Sequence, residues 1–273
     1  MNALPGLFPK TFVSSFVIHR ELVWQLVKRD FASKYKGSVF GIAWSLIHPI
    51  LMLAVYTLVF GVALNARWGN NEESKVSFAI ILFAGLMVHG FFAECLNRAP
   101  GLIVGQVNYV KKVLFPLEVL PWVVMITALG QFFIGLLLLT IFSLATGMSI
   151  RLGTLLVPIV LLPLMLFTLG LTWFLAALGV YLRDIAQAVG PLTMIALFLS
   201  PVFYKASALP ESYQFILGLN PLTMPIEQIR DVVLWGLPIN WSDWAGSLML
   251  GLGFCFGGFW IFQRLRTGFA DVL

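Results

Sequence analysis

Between Lys28 and Ile50 the chain turns from a basic segment into an apolar one within a few residues. Lys28, Arg29, Lys34 and Lys36 stand just ahead of an apolar run that opens at Val39. A switch of this kind marks a polypeptide leaving water for a bilayer, and basic residues beside a span favour the cytoplasmic side. The stretch therefore sets the orientation of everything after it. Arg29, Lys34 and Lys36 are also placed to meet lipid phosphate, with Tyr35 and Trp44 near headgroup depth.

Composition points the same way. Of 273 residues, 60% are hydrophobic and 11% charged, against roughly a quarter charged in an ordinary soluble domain. The expected fold class is all-α integral membrane. The net charge of +5 would raise nucleic acid in a soluble protein. Here the basic residues crowd the ends of apolar runs, so topology accounts for them and no nucleic-acid partner is expected. Cys95 and Cys255 have no Cys or His at metal-ligand spacing and read as packing residues. Phe12 to Ile18 is too short for a signal segment and is followed by His19-Arg20-Glu21, so no secretory signal is expected.

Taken in order, residues 16–33 read as an amphipathic interfacial helix. Leu22, Val23, Leu26 and Val27 form its apolar side, and Trp24 is its headgroup anchor. Spans are expected over 39–64, 76–96, 119–145, 153–182, 185–204 and 241–262. At about 1.5 Å per residue such runs cross a core of roughly 30 Å. His48-Pro49 interrupts the first span and predicts a bend. Residues 99–112, closed by Lys111-Lys112, form a cytoplasmic segment with helical potential. The stretch 205–240 carries Pro210, Pro221, Pro225 and Pro238. Its apolar pieces are too short or too charged to cross, so they dip in and return or lie on the outer surface. Six spans put both ends inside. Of the 17 basic residues, Arg67, Lys75, Arg151, Lys205 and Arg230 then fall outside and the other twelve inside, the bias expected of a cytoplasmic face.

The chemistry is sparse. No Gly precedes a Lys, so there is no Walker loop, and neither a Gly-x-Ser-x-Gly elbow nor a His-Glu-x-x-His pair occurs. His48, His89 and Glu94 are the ionisable candidates within or near spans, and His89 reads as a packing histidine. Ion-coupled carriers need intramembrane carboxylates or relays, so energy is expected from another subunit, gripping a cytoplasmic handle such as 99–112. Phe40, Trp44 and His48 recur at four-residue spacing, and Phe198 and Tyr204 flank Pro201. Aromatic faces of this kind can stack on sugar rings, although each is equally a lipid-facing or packing residue. Gly253 and Gly257 form a small-xxx-small pair suited to close helix approach.

Four features together resemble the transmembrane subunit of type-2 ABC exporters for cell-surface polysaccharides: O-antigen, capsule or teichoic acid. The first is Arg29-Asp-Phe with Lys34-Tyr-Lys-Gly-Ser and Gly41-x-x-Trp44 through Pro49. The second is Tyr109-Val-Lys-Lys-Val-Leu-Phe-Pro116 through Pro121. The third is Tyr181-Leu-Arg-Asp-Ile185 followed by Ser200-Pro-Val-Phe-Tyr204. The fourth is Asn220-Pro-Leu-Thr223 with Glu227 and Arg230. Leu117-Glu118 departs from the second, where a basic residue is common.

The resemblance implies a homodimeric permease with two ATPase subunits, ATP and Mg being held by those subunits and no cofactor by this chain. It also implies re-entrant helices before the last span. The coupling helix would lie over 99–112, with Gln106, Val107, Tyr109, Val110, Lys111 and Lys112 meeting the ATPase. An undecaprenyl-linked polysaccharide would meet Arg29, Lys34, Tyr35 and Lys36 and then follow Phe40, Trp44, His48, Phe198 and Tyr204. Capsule-type relatives diverge at the first feature, which points to O-antigen-like export in a bacterial inner membrane. Two rivals are a drug or lipid exporter of the same fold and a membrane enzyme acting on a polyprenyl lipid. The second needs converging carboxylates or His at one membrane face.

Overall fold

The computed structural model describes residues 12–63, 75–106, 109, 115–146, 152–206, 210 and 217–273. These are helical or irregular, with no strand among them. The expected interfacial helix is two helices, α1 (Phe12–Ile18) and α2 (Arg20–Ser33). They are separated at His19, whose φ of −110° and ψ of 21° leave the helical region. Val23, Leu26 and Val27 are buried on one side of α2, the i, i+3, i+4 spacing of one helix face. They lie against α6 (Val119–Ala145). Trp24 stands out from the bundle with the Lys28 ammonium over its ring.

The turn out of α2 uses Gly37 and Gly41, at φ of 85° and 51°, which a residue with a Cβ adopts only under strain. A 3₁₀ turn, Gly41–Ala43, then leads into α3 (Trp44–Tyr56), and a π turn, Thr57–Ala63, follows it. Pro49 sits inside α3 and removes one ladder donor.

Among the described residues five helical segments are long and apolar enough to cross a membrane: Gly41–Phe60, Phe78–Arg98, Val119–Ala145, Leu152–Tyr181 and Trp241–Arg266. Their burial separates centre from rim. The second, within α4 (Lys75–Arg98), is 78% buried, whereas the first is 17% buried. So α4 is the axle of the chain and α3 lies at its edge. A short helix, α5 (Gly101–Val104), follows α4. α7 (Val157–Tyr181) and α10 (Trp241–Arg266) make the tightest pair in the bundle. α8 (Ile185–Leu199) lies between them in sequence, and so does α9 (Thr223–Arg230), which continues into a π turn, Asp231–Trp235. α11 (Phe269–Val272) closes the chain.

The α7–α10 seam explains itself through glycine, at positions other than the expected pair. A Cβ on Gly170 would stand 2.2 Å from the Phe254 carbonyl oxygen. One on Gly258 would stand 2.0 Å from the Gly170 carbonyl oxygen, and one on Gly251 would stand 2.5 Å from that of Pro163. Gly253 and Gly257 face open space. The correction has a simple cause. Two contact glycines seven residues apart return to one helix face, and a four-residue pair chosen by eye between them falls on another.

α8 is shorter than the expected span over 185–204. Its 15 residues reach about 22 Å at 1.5 Å each, short of a hydrocarbon core of roughly 30 Å. Ser200 is extended ahead of Pro201, which disfavours the helical conformation at the residue before it.

The seam yields a discriminating test. Gly170→Leu or Gly258→Leu should lower thermal stability of the purified protein in detergent by about 3 kcal/mol or more. Gly253→Ala and Gly257→Ala should leave the midpoint unchanged or raised.

Candidate functional site

At the end that carries α2, charged side chains from separate segments converge. Lys34 pairs with Glu94 of α4, and Arg98 of α4 reaches Asp30 of α2 at 2.6 Å and Glu94 at 3.6 Å. The four are only partly exposed, so the pairs lie at the rim of the bundle rather than in bulk water. The apolar side of α2 seats it on α6, which turns Asp30 and Lys34 toward the last turn of α4. Next to them the Tyr35 hydroxyl donates to Gln131 of α6 at 3.1 Å, and the Gln131 amide donates to the Ser45 carbonyl at 3.0 Å. Burial, with the Glu94 carboxylate nearby, holds the Tyr35 phenol above its usual pKa, so it stays a donor. Arg29 donates to the Tyr109 hydroxyl at 2.8 Å, and Tyr109 stacks on Phe115 with centroids 4.1 Å apart. The first and second sequence features thus meet directly.

Glu118, the departure noted above, is fully buried and pairs with Arg266 of α10 at 2.5 Å. Its backbone carbonyl accepts from the Trp173 indole at 3.1 Å. The start of α6 is thereby locked to the ends of α7 and α10. Sequence reasoning missed this pair. The available signal was opposite charge at the start of one apolar run and the end of another.

The expected path residues are distributed unevenly. Lys34 is engaged by Glu94, Arg29 by Tyr109 and Tyr35 by Gln131, while Lys36 is exposed. Phe40 and Trp44 are exposed, their rings edge to face at 5.8 Å, and His48 is exposed on the same helical stretch. Phe198 is exposed on α8 and stacks with Phe203 at 5.5 Å, and the Tyr204 hydroxyl donates to the Phe198 carbonyl at 3.3 Å. In a single chain these aromatics do not gather into one enclosed path. His89 is buried with its Nε2 2.9 Å from the Thr193 carbonyl, a packing role. Among the coupling residues, Gln106 and Tyr109 are half-buried. Val107, Val110, Lys111 and Lys112 lie outside the described residues.

At the opposite end the third and fourth features meet. Arg230 is 1% exposed. Its guanidinium donates to the carbonyls of Ile81 at 3.0 Å, Pro201 at 2.6 Å and Val202 at 2.8 Å. The Asn220 amide donates to the Leu199 carbonyl at 3.1 Å and the Ser200 hydroxyl at 3.0 Å. Together they satisfy the backbone where α8 stops. A Cβ on Gly85 would stand 2.6 Å from an Arg230 nitrogen, so glycine makes the room. Sequence counting of basic residues gave no hint of a buried arginine here.

Among the described residues no group of three or more His, Cys, Asp and Glu could hold a metal ion. The arrangement offers no reacting pair. It offers partly exposed ionic ties at one end, a polar knot at the other, and an apolar rim.

A bundle of membrane-length helices with ionic ties at one end is the architecture of a multi-pass membrane protein. Residues 21–234 match the family model described as ABC-2 type transporter, and the chain belongs to that family. It is a transporter subunit rather than an enzyme. It is similar to the O-antigen export system permease protein RfbA of Myxococcus xanthus, 32% identical over 206 residues, covering 75% of this chain and 76% of that one. It is also similar to the RfbA permease of Klebsiella pneumoniae, 26% identical over 254 residues, covering 93% and 95%.

Loss of either buried guanidinium should be costly. Arg230→Met strands the Pro201 and Val202 carbonyls and should lower stability by about 3 kcal/mol or more. Arg266→Met leaves Glu118 buried and unpaired, for about 3–5 kcal/mol. Thermal midpoints of the purified variants in detergent check both.

Proposed function

We propose that this chain is the permease subunit of an ATP-driven exporter that moves an O-antigen-like, undecaprenyl-linked polysaccharide across a bacterial inner membrane. The observation that carries this is the likeness to O-antigen export permeases over 93% of the chain. The working unit is a homodimer with two ATPase subunits, and ATP and Mg belong to those subunits. Both termini are cytoplasmic, six segments span, the fifth being α8 continued by the extended chain from Ser200, and residues within 205–240 re-enter from the outer side. The apolar faces left open on α3 and α8, including Ile50, Val55, Ile195 and Phe198, support a partner copy. Between two copies Phe40, Trp44, His48, Phe198 and Tyr204 would line a continuous glycan path.

The ionic ties supply a route for force. An ATPase pressing on 99–112, at Gln106 through Lys112, moves Tyr109. Tyr109 holds Arg29 of α2, and α2 holds α4 through Asp30, Lys34, Glu94 and Arg98. Pushing the segment therefore moves α2 and α4 as a unit. A lipid pyrophosphate arriving at this face meets exposed Lys36 first and competes with Glu94 for Lys34 and with Tyr109 for Arg29.

Two outcomes are expected in a deletion strain complemented with variants at matched membrane levels. Lys36→Glu removes a charge-assisted contact of about 1.5–3 kcal/mol, roughly 10- to 150-fold in affinity, and should deplete surface glycan by immunoblot. Unchanged glycan would contradict the contact. Tyr109→Phe should keep complex assembly and ATP hydrolysis but reduce glycan exported per ATP. Unaltered coupling would remove Tyr109 from the force route.

A further inference from the structure

A cavity of about 670 Å³ opens at the end opposite α2, between α7, α9 and α10. Its volume lies in the range of small-molecule sites. One wall carries three carboxylates: Glu227 on α9, Asp231 just after it, and Asp243 in the first turn of α10. Burial pushes the Glu227 and Asp231 carboxyls above their usual values. Asn240 aims Asp243 by donating to it at 2.8 Å while capping α10. Lys205 stands near Asp231 and makes no ion pair among the described residues. Arg230 also borders the cavity, but its guanidinium is engaged by three backbone carbonyls. Thr223, nine-tenths buried, lines the cavity with a hydroxyl that has no hydrogen-bond partner among the described residues. The other wall is apolar: Leu164 and Phe167 of α7 and Leu250 of α10.

This lining discriminates between ligand classes. An anion would face three carboxylates with one ammonium to receive it. A neutral saccharide would supply hydrogen bonds but no charge, and would leave three carboxylates facing only two cations, Arg230 and Lys205. A free metal ion is disfavoured, since these acids do not form a cluster able to hold one. A ligand with a cation, an anion and an apolar body satisfies all the walls at once. Because α7 and α10 are membrane-length helices meeting at this end, the cavity lies where headgroups lie.

We propose that the cavity is a binding site for an ammonium-bearing zwitterionic phospholipid of the phosphatidylethanolamine type. The ammonium sits among Glu227, Asp231 and Asp243, and the phosphate meets Lys205 and the Thr223 hydroxyl. The acyl chains lie along exposed Leu250 and past the edge of Phe167. The inference is independent of what the protein exports.

The test uses the full-length protein in complex with its ATPase, titrated in detergent with phosphatidylethanolamine or phosphatidylglycerol and read by native mass spectrometry. Selective retention of phosphatidylethanolamine is expected. Asp231→Asn should weaken it about tenfold, the loss of one charge-assisted contact. Lys205→Gln, exposed and outside the packed core, reads the phosphate half and should weaken retention without reversing the headgroup preference. Equal retention of the two lipids, or retention unchanged in both variants, overturns the proposal. So does displacement of bound lipid by free mannose or rhamnose, which would make the cavity a saccharide site.

Discussion

The fold depends on how the backbone is satisfied where a helix stops inside a greasy bundle. Lipid offers no donor to an orphan carbonyl, so irregular backbone at that depth must be paired by the protein itself. α8 ends at Leu199, and the carbonyls of Pro201 and Val202 have no helical partner. Arg230 answers both and also reaches the Ile81 carbonyl of the central helix. A guanidinium is suited to this because it keeps its charge and presents a planar fork of donors. The nearby carboxylates of Glu227 and Asp231 offset the cost of burying it. The early end of α8, the seat of α9 and the glycine at 85 all follow from this one contact.

The two ends of the bundle solve opposite problems. Near α2 the ionic groups stay partly wet, so their pairs exchange cheaply with other partners. The Glu118–Arg266 pair is different. It is buried, joins helix ends far apart in sequence, and serves as a fixed clamp between α6 and α10. The α7–α10 seam extends that rigidity through the bundle, because backbone-to-backbone contact at Gly170 and Gly258 leaves no slack. The rim is the reverse: α3 and α8 leave large apolar side chains uncovered.

Much of the fold was legible before any coordinates. Long uncharged runs announced the membrane helices, and the apolar side of residues 16–33 announced how α2 would sit, since Val23, Leu26 and Val27 are the residues it buries. His89 as a packing residue was legible because no second ionisable group accompanies it at relay spacing. The glycine seam was not legible, because small residues are plentiful in α10 and only the orientation of the helix selects among them. The partner of Lys34 was likewise not legible. Its spacing along the chain carries no information about Glu94, sixty positions on.

By itself, then, the sequence determined the solvent and the helical class, because hydropathy and charge act locally along the chain. Only the tertiary structure decided which glycines touch, which cations are already engaged, and that Arg230 is an internal donor rather than an outward-facing charge. Those outcomes depend on pairings between segments distant in sequence, and a pairing is a property of two surfaces brought together rather than of either one alone.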